Sequence, residues 1–334
     1  MRKIYYILII LLSCSRIQAQ DSRAVLDINL SNYTYPFPVD SIDLSPNQQQ
    51  NLKMFFMDVK PSSNSNGKTI VLLHGKNFNG AYWKTTIEAL TKNGYRVVVP
   101  DQIGFGKSSK PDSYQYSFQQ LAYNTDQVIK HLGIDKFSLL GHSMGGMLAT
   151  RYTLMYPEKV EKLILENPIG LEDWKLYAPY ITIDESYQSE LKANYESTKA
   201  YQLKFYYDNK WKPEYDEWVY LLTGWVKDPN YKKVAWNNAL TTDMVFTQPV
   251  VYEFQDLDLP TLLIIGTRDR TAIGKDRVKD PEIQNKMGQY QILGKETQKK
   301  IKGSELVELD NVGHLPHIEV FERFIQPLLK FLAK

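Results

Sequence analysis

Gly141-His142-Ser143-Met144-Gly145-Gly146 decides the reading of this chain, because it falls where an apolar run gives way to a helical one. Phe137-Ser138-Leu139-Leu140 before it reads as a short buried strand. Met144 to Tyr156 after it carries helix formers, with no proline until Pro157. G-x-S-x-G at such a junction is a nucleophile elbow, a turn so tight that the serine stands above the end of the sheet. Small flanking residues are needed because the strand and helix backbones nearly touch. A glycine-rich strand-to-helix turn can also be only a turn, so the flanking elements and the partners downstream carry the weight.

Working outward, short apolar runs alternate with helical stretches from Thr69 onward. The runs are Thr69–Leu73, Arg96–Pro100, Phe137–Leu140, Leu163–Glu166, Leu262–Ile265 and Leu306–Leu309. Most have the Val/Ile/Leu content of strands buried on both faces, as parallel sheets require. Glu308 interrupts the last, which reads as an edge strand. Phe118 to Leu132 and Phe321 to Leu332, the second kinked at Pro327, supply helices, and alternating βα units predict a doubly wound sheet. Upstream, Ser62-Ser63-Asn64-Ser65-Asn66 reads as a hairpin turn joining strands Leu52–Val59 and Thr69–Leu73.

The alternation breaks once. Between Pro168 and Pro260 no buried strand pattern recurs, and tyrosine and tryptophan become frequent, from Trp174 through Tyr206 and Tyr207 to Trp236. This predicts a helical insertion over the C-terminal edge of the sheet, where α/β proteins bind their ligands. Most of these aromatics form the insertion's own small core, and a few line a pocket. The chain therefore divides into residues 21–168 and 260–334 as two parts of one core, with 169–259 as a lid.

A serine hydroxyl needs an adjacent base, itself oriented by an acid. Five histidines are available: His74, His131, His142, His314 and His317. His74 precedes Gly75 directly after a strand and suits a loop-shaping role. His131 ends a helix. His142 neighbours the serine, but adjacent side chains at an elbow diverge. His317 belongs at the start of the last helical stretch. His314 follows Gly313 in a loop able to aim it across the sheet edge, and it is the candidate base. Asp269, in the loop after Leu262–Gly266, is the preferred acid, because the order serine, acid, histidine accompanies this kind of elbow. Glu166, ending the strand after the serine, is the rival.

Acyl chemistry also needs donors for a developing oxyanion. The Met144 backbone N–H, directly after the serine, is one. The second is assigned by position to the Lys76 N–H in His74-Gly75-Lys76-Asn77, with Asn77 as the alternative. The Lys76 side chain reads as solvent-facing, although a lysine there would also attract an anionic substrate. No metal or organic cofactor is called for.

The N-terminus carries a different message. Met1-Arg2-Lys3 followed by Ile4–Leu12 forms a charged and then apolar leader, too short to span a bilayer, with Ala19-Gln20 as a cleavage site. Residues 1–20 read as a signal peptide, so the protein is expected to be exported, periplasmic or secreted. Their removal leaves 37 basic against 38 acidic residues, which argues against nucleic acid as a partner. Cys14 is the single cysteine, so the chain forms no internal disulfide and no cysteine metal site. Leu11-Leu12-Ser13-Cys14 resembles a bacterial lipobox, so a lipid anchor stands beside the reading of Cys14 as part of a discarded peptide.

Taken together, His74-Gly75, Asp101-Gln102-Ile103-Gly104-Phe105-Gly106, the serine elbow, Gly266-Thr267-Arg268-Asp269 and Gly313-His314 resemble the α/β-hydrolase superfamily, its lidded esterase and epoxide-hydrolase-like branch. The motifs occur in the family's order over residues 52 to 334. The resemblance implies an α/β-hydrolase fold: a mostly parallel sheet flanked by helices, with a helical lid after the strand that follows the nucleophile helix. It implies a structural role for the Asp101 loop. Ser143 departs from the aspartate nucleophile of dehalogenases and epoxide hydrolases in this branch. Met144 departs from the tryptophan of proline-iminopeptidase-like members, and Gly75-Lys76-Asn77-Phe78 from the glycine-rich loop of C–C hydrolases. The expected function is a carboxylesterase acting on a small or medium, partly apolar ester through Ser143, His314 and Asp269. Two alternatives stand beside it: a C–C bond hydrolase or cofactor-independent perhydrolase on the same residues, and a non-catalytic binding protein on a hydrolase scaffold.

Overall fold

The structure, a computed structural model, describes residues 23–334. The expected signal peptide, its cleavage site and Cys14 lie outside the described residues. Among those described, eight strands form one sheet: β1 (Val39–Asp43), β2 (Lys53–Val59), β3 (Thr69–Leu73), β4 (Arg96–Pro100), β5 (Phe137–His142), β6 (Val160–Glu166), β7 (Thr261–Gly266) and β8 (Glu305–Leu309). Their order across the sheet is β1-β2-β4-β3-β5-β6-β7-β8. β1 pairs antiparallel with β2, and β2 with β4; every other pairing is parallel.

The continuous apolar runs have a direct physical cause. Alternate residues of a strand face opposite sides, and here both sides are covered. Val71 and Leu73 join the cluster under α2 (Phe118–His131), α3 (Met144–Met155) and α9 (Tyr290–Lys300). Ile70 and Leu72 join the opposite cluster with α1 (Lys84–Lys92) and α11 (Phe321–Ala333). α11 keeps Pro327 inside one helix and buries Phe324, Leu328 and Phe331. β8 ends the sheet and is only partly buried, as Glu308 led one to expect.

The expected hairpin at Ser62–Asn66 does not form. β2 turns back instead onto β1, pairing Asp43 with Lys53, and pairs on its other side with β4. β3 lies between β4 and β5, so the chain from β2 must cross over rather than turn. A strand apolar on both faces gains most in the sheet interior, and that preference overrides a polar turn sequence. Ser62 and Asn66 pack on the end of α1, donating their N–H groups to the Thr91 and Gly94 carbonyls.

Between β6 and β7 the chain is helix and loop: α4 (Ile183–Glu190), α5 (Tyr195–Phe205), α6 (Asp216–Thr223) and α7 (Tyr231–Thr247). Thr182 with Glu185, and Asn194 with Ser197, form reciprocal caps at the starts of α4 and α5. Tyr207 and Tyr215 stack at 3.7 Å between centroids, so many of the aromatics pack internally, as expected. Residues 23–35 form an arm bridging this insertion and the core. The Leu26 N–H donates to Gly224 O at 3.0 Å, and the Tyr35 hydroxyl donates to Asp101 Oδ2 at 2.7 Å. The remaining short helices are α8 (Pro281–Lys286) and α10 (Pro316–Glu319).

Candidate active site

The elbow is built by steric exclusion. A Cβ on Gly141 would fall on the Gly145 carbonyl, one on Gly145 on the Leu73 carbonyl, and one on Gly146 on Pro168. Ser143 itself sits at φ 55°, ψ −121°, a conformation that an L-residue holds only when its surroundings enforce it. They do so here. Its N–H donates to the Glu166 carbonyl, and its own carbonyl accepts from the Gly146 and Ile169 N–H groups.

The structure brings together the three residues expected to act in line. Ser143 Oγ lies 2.9 Å from His314 Nε2, and His314 Nδ1 lies 2.6 Å from Asp269 Oδ2. All three are buried, with Ser143 5% and His314 2% exposed. Burial pushes the Asp269 carboxyl up, but His314 and the bonds from Asn167 and Thr271 outweigh it and hold it below the usual carboxylate range. Thr271 donates both its N–H and its hydroxyl to Oδ1, at 2.9 and 2.7 Å.

Asn167 was not singled out from the sequence. It sits just past β6 at φ 36°. It donates to Asp269 Oδ2 at 2.7 Å and to the Gly313 carbonyl at 3.2 Å, and accepts from the Gly266 N–H at 2.8 Å. One amide thus ties together the ends of β6 and β7 and the loop before His314. An asparagine between a buried strand and Pro168 was the available signal, since asparagine tolerates positive φ.

Glu166, the rival acid, is engaged elsewhere. Its Oε1 accepts from the His317 backbone N–H at 2.9 Å and lies 2.8 Å from His317 Nδ1. Its place at the end of β6 faces the cluster of Trp83, Tyr82 and His317, where the His317 ring stacks on Trp83 at 4.3 Å. Burial pushes Glu166 up to about 7. His317 lies in α10, a separate short helix ahead of α11 rather than the start of that last helix. His74 shapes its loop: its Nδ1–H donates to Gly75 O, and Nε2 accepts the Gln102 N–H. The Asp101 carboxylate is used by the Gly80 and Lys107 N–H groups and the Tyr35 hydroxyl.

On the opposite side of Ser143 lies Gly75, where an added Cβ would meet Ser143 Cβ at 3.0 Å. Among the described residues, the backbone N–H groups of Met144, Lys76 and Asn77 have no acceptor. The Lys76 side chain departs from expectation. It is 11% exposed rather than solvent-facing, with Nζ 3.6 Å from Glu190 Oε1 of α4 and 3.3 Å from Asn77 Oδ1. The Glu190 carboxylate and the Asn77 amide oxygen offset part of the cost of taking the ammonium out of water.

Over the site, the Tyr206 ring packs on His314 with centroids 5.0 Å apart. Tyr206 also borders a cavity of ≈ 510 Å³ lined by Asn77, Glu190, Ser197, Thr198 and Gln202 among others. Tyr201, Tyr206 and Leu222 line it beside these polar groups, so a few aromatics of the insertion do border a cavity, as expected, although Ser143 and His314 are not among its lining residues.

The sequence pattern of the alpha/beta hydrolase fold family matches residues 68–320. The chain belongs to that family. A probable hydrolytic enzyme from Pseudomonas aeruginosa, solved by crystallography, is 48% identical with a TM-score of 0.91, over 93% of this chain and 99% of that one. An AB hydrolase superfamily protein of Bacillus subtilis is 26% identical, over 85% of this chain and 96% of its own length. A cis-3-alkyl-4-alkyloxetan-2-one decarboxylase of Xanthomonas campestris is 32% identical, but the match spans 40% of this chain and 44% of that protein. The chain thus spans about half the length of the first curated relatives that it matches.

Proposed function

We propose that the protein is a serine hydrolase, and specifically a carboxylesterase acting on a small or medium ester through an acyl-enzyme. The observation that carries the reading is the in-line chain from Ser143 Oγ through His314 to Asp269, at 2.9 and 2.6 Å. In this reading Ser143 Oγ attacks the ester carbonyl carbon while His314 Nε2 takes its proton. Asp269 holds the imidazole in the tautomer whose Nε2 is free to accept, and stabilises the imidazolium that forms. The Met144 and Lys76 N–H groups hold the tetrahedral oxyanion, consistent with their lack of any other acceptor. His314 then returns the proton to the departing alcohol. Water, activated by the same imidazole, releases the acid.

The insertion over residues 169–259 acts as the lid. Tyr206 against His314 supports this, because a substrate must displace or pass beside that ring to reach Ser143. The cavity beside Tyr206, lined by tyrosine rings and Leu222 as well as by polar side chains, supports substrates that carry polar groups next to an apolar part. The leader in residues 1–20 supports export to the periplasm or beyond, with a lipid anchor at Cys14 as the membrane-associated form.

The test is fluorophosphonate labelling of the purified protein beside Ser143→Ala, followed by a chain-length series of p-nitrophenyl esters. Labelling abolished in the variant, with ester turnover lowered about 10⁴-fold or more, is the expected result. Labelling without ester turnover would move the reading to C–C hydrolysis or perhydrolysis on the same residues. A folded protein that neither labels nor turns over any ester would overturn it in favour of a binding role.

A further inference from the structure

His142 does not act as the base at the elbow, yet it is fully buried and its two ring nitrogens are both engaged. Nε2 lies 2.7 Å from the carbonyl oxygen of His314, and Nδ1 lies 3.0 Å from the Tyr82 hydroxyl. That hydroxyl in turn accepts the Gly75 N–H at 3.0 Å. The polarity of this line is dictated. A carbonyl only accepts, so His142 Nε2 must carry a proton. Burial, with His314 and His317 nearby, pushes His142 down to about 3, so the ring is neutral and its Nδ1 is bare. Tyr82 must therefore donate to Nδ1, which leaves its oxygen to accept from Gly75. Each proton has one place.

The line joins the two segments whose spacing the proposed reaction depends on. At one end is the loop of His314. At the other is the peptide before the proposed oxyanion donor. The Gly75 carbonyl is anchored by His74 Nδ1–H at 2.9 Å and the Phe78 N–H at 3.2 Å. In a trans peptide the N–H points opposite to the carbonyl, so anchoring Gly75 O aims the Lys76 N–H. Tyr82 is itself held from both sides, stacked on Phe78 at 4.8 Å and edge-on to His317 at 4.7 Å.

We propose that Tyr82 and His142 are positioning residues, a proton-ordered relay that sets the distance between the oxyanion loop and the His314 loop. The proposal rests on the serine-hydrolase reading. Neither side chain is assigned contact with substrate; both act through Gly75 and His314. The relay makes the donor for the oxyanion and the base for the serine proton parts of one rigid line, so an error in one spacing is an error in both.

Tyr82→Phe removes one oxygen and keeps the ring packing. It is expected to lower kcat and the fluorophosphonate labelling rate together, by about tenfold to a hundredfold, with KM changed less than about threefold. His142→Gln keeps a donor where Nε2 stood, so its kcat is expected to lie between those of the native protein and His142→Leu. Nitrogen-15 NMR of histidine-labelled protein reads the relay without any turnover. The expected signature is a His142 protonated at Nε2 and bare at Nδ1, with the Nδ1 resonance shifting in Tyr82→Phe. A His142 protonated at Nδ1, or an Nδ1 resonance indifferent to Tyr82→Phe, overturns the relay. So does unchanged kcat in Tyr82→Phe. The NMR signature together with a Ser143 that fails to label in the native protein would instead overturn the hydrolase reading and, with it, the relay's catalytic meaning.

Discussion

His314 with Asp269 and His317 with Glu166 are two imidazole–carboxylate pairs whose histidines lie three residues apart in the chain, both buried, with nitrogen–oxygen distances of 2.6 and 2.8 Å. Residue types and burial do not separate them. Their surroundings do. Asp269 receives donors from Asn167 and from Thr271 as well as His314, and its carboxyl is held low. Among the described residues, Glu166 receives donors from His317 alone and its Oε2 has no partner, and burial pushes it up to about 7. The far nitrogens differ likewise. His314 Nε2 faces Ser143 Oγ, whereas His317 Nε2 has no partner among the described residues and burial pushes that ring well below the ordinary histidine range. The number of donors around the carboxylate, and what the far nitrogen meets, distinguish the pair that faces the serine from the one packed against Trp83.

The largest expected effect breaks the first pair. Asp269→Asn leaves the shape but removes the charge that favours the imidazolium, and kcat for ester turnover should fall about 10³- to 10⁴-fold. Glu166→Gln should leave kcat within about threefold. Equal losses in the two variants would erase the distinction drawn here.

The second effect is on stability and has a sign. Glu166 is raised in the folded state, so its contribution is present below its unfolded value near 4.5 and is lost as pH rises through about 7. Glu166→Gln removes that loss. Between pH 5 and 8 the variant should gain about 2–3 kcal/mol relative to the native protein, read from urea midpoints at each pH. His142 and His317 work the other way, lowered by burial and destabilising as pH falls below about 6.5, and this term is common to both proteins.

Smaller effects sharpen the support of Asp269. Asn167→Ala leaves Asp269, Gly313 and Gly266 each short of a partner and places alanine at positive φ. It should cost about 2 kcal/mol of stability and about tenfold in kcat, measured by denaturation and steady-state kinetics. Thr271→Val removes only the hydroxyl donor, since the backbone N–H remains. A cost of about 1 kcal/mol and a less than tenfold loss of kcat is expected from the same measurements.

Much of this was legible because it is written in local pattern. Buried parallel strands leave apolar runs, and the elbow leaves its glycines because backbone atoms occupy the space of any side chain at Gly141 and Gly145. Histidines are few, so position after a strand pointed to His314, and its loop proved to lie within 2.9 Å of Ser143. Asn167, by contrast, is one residue whose three partners lie about a hundred residues or more away, and no local pattern encodes that. The same holds for the hairpin. Ser62–Asn66 has turn composition, yet strand order is a choice among distant partners, and β4 won β2 from β3.

The sequence by itself determined the class of architecture, the strained serine and the short set of residues from which a base and an acid had to come. These follow from steric and hydrophobic constraints acting over a few residues. Only the tertiary structure decided which carboxylate faces which imidazole, that Lys76 turns inward to Glu190, and that a buried line runs from Gly75 through Tyr82 and His142 to His314. Hydrogen-bond direction and electrostatic environment depend on groups brought together across the sheet edge, and those are properties of the packed chain.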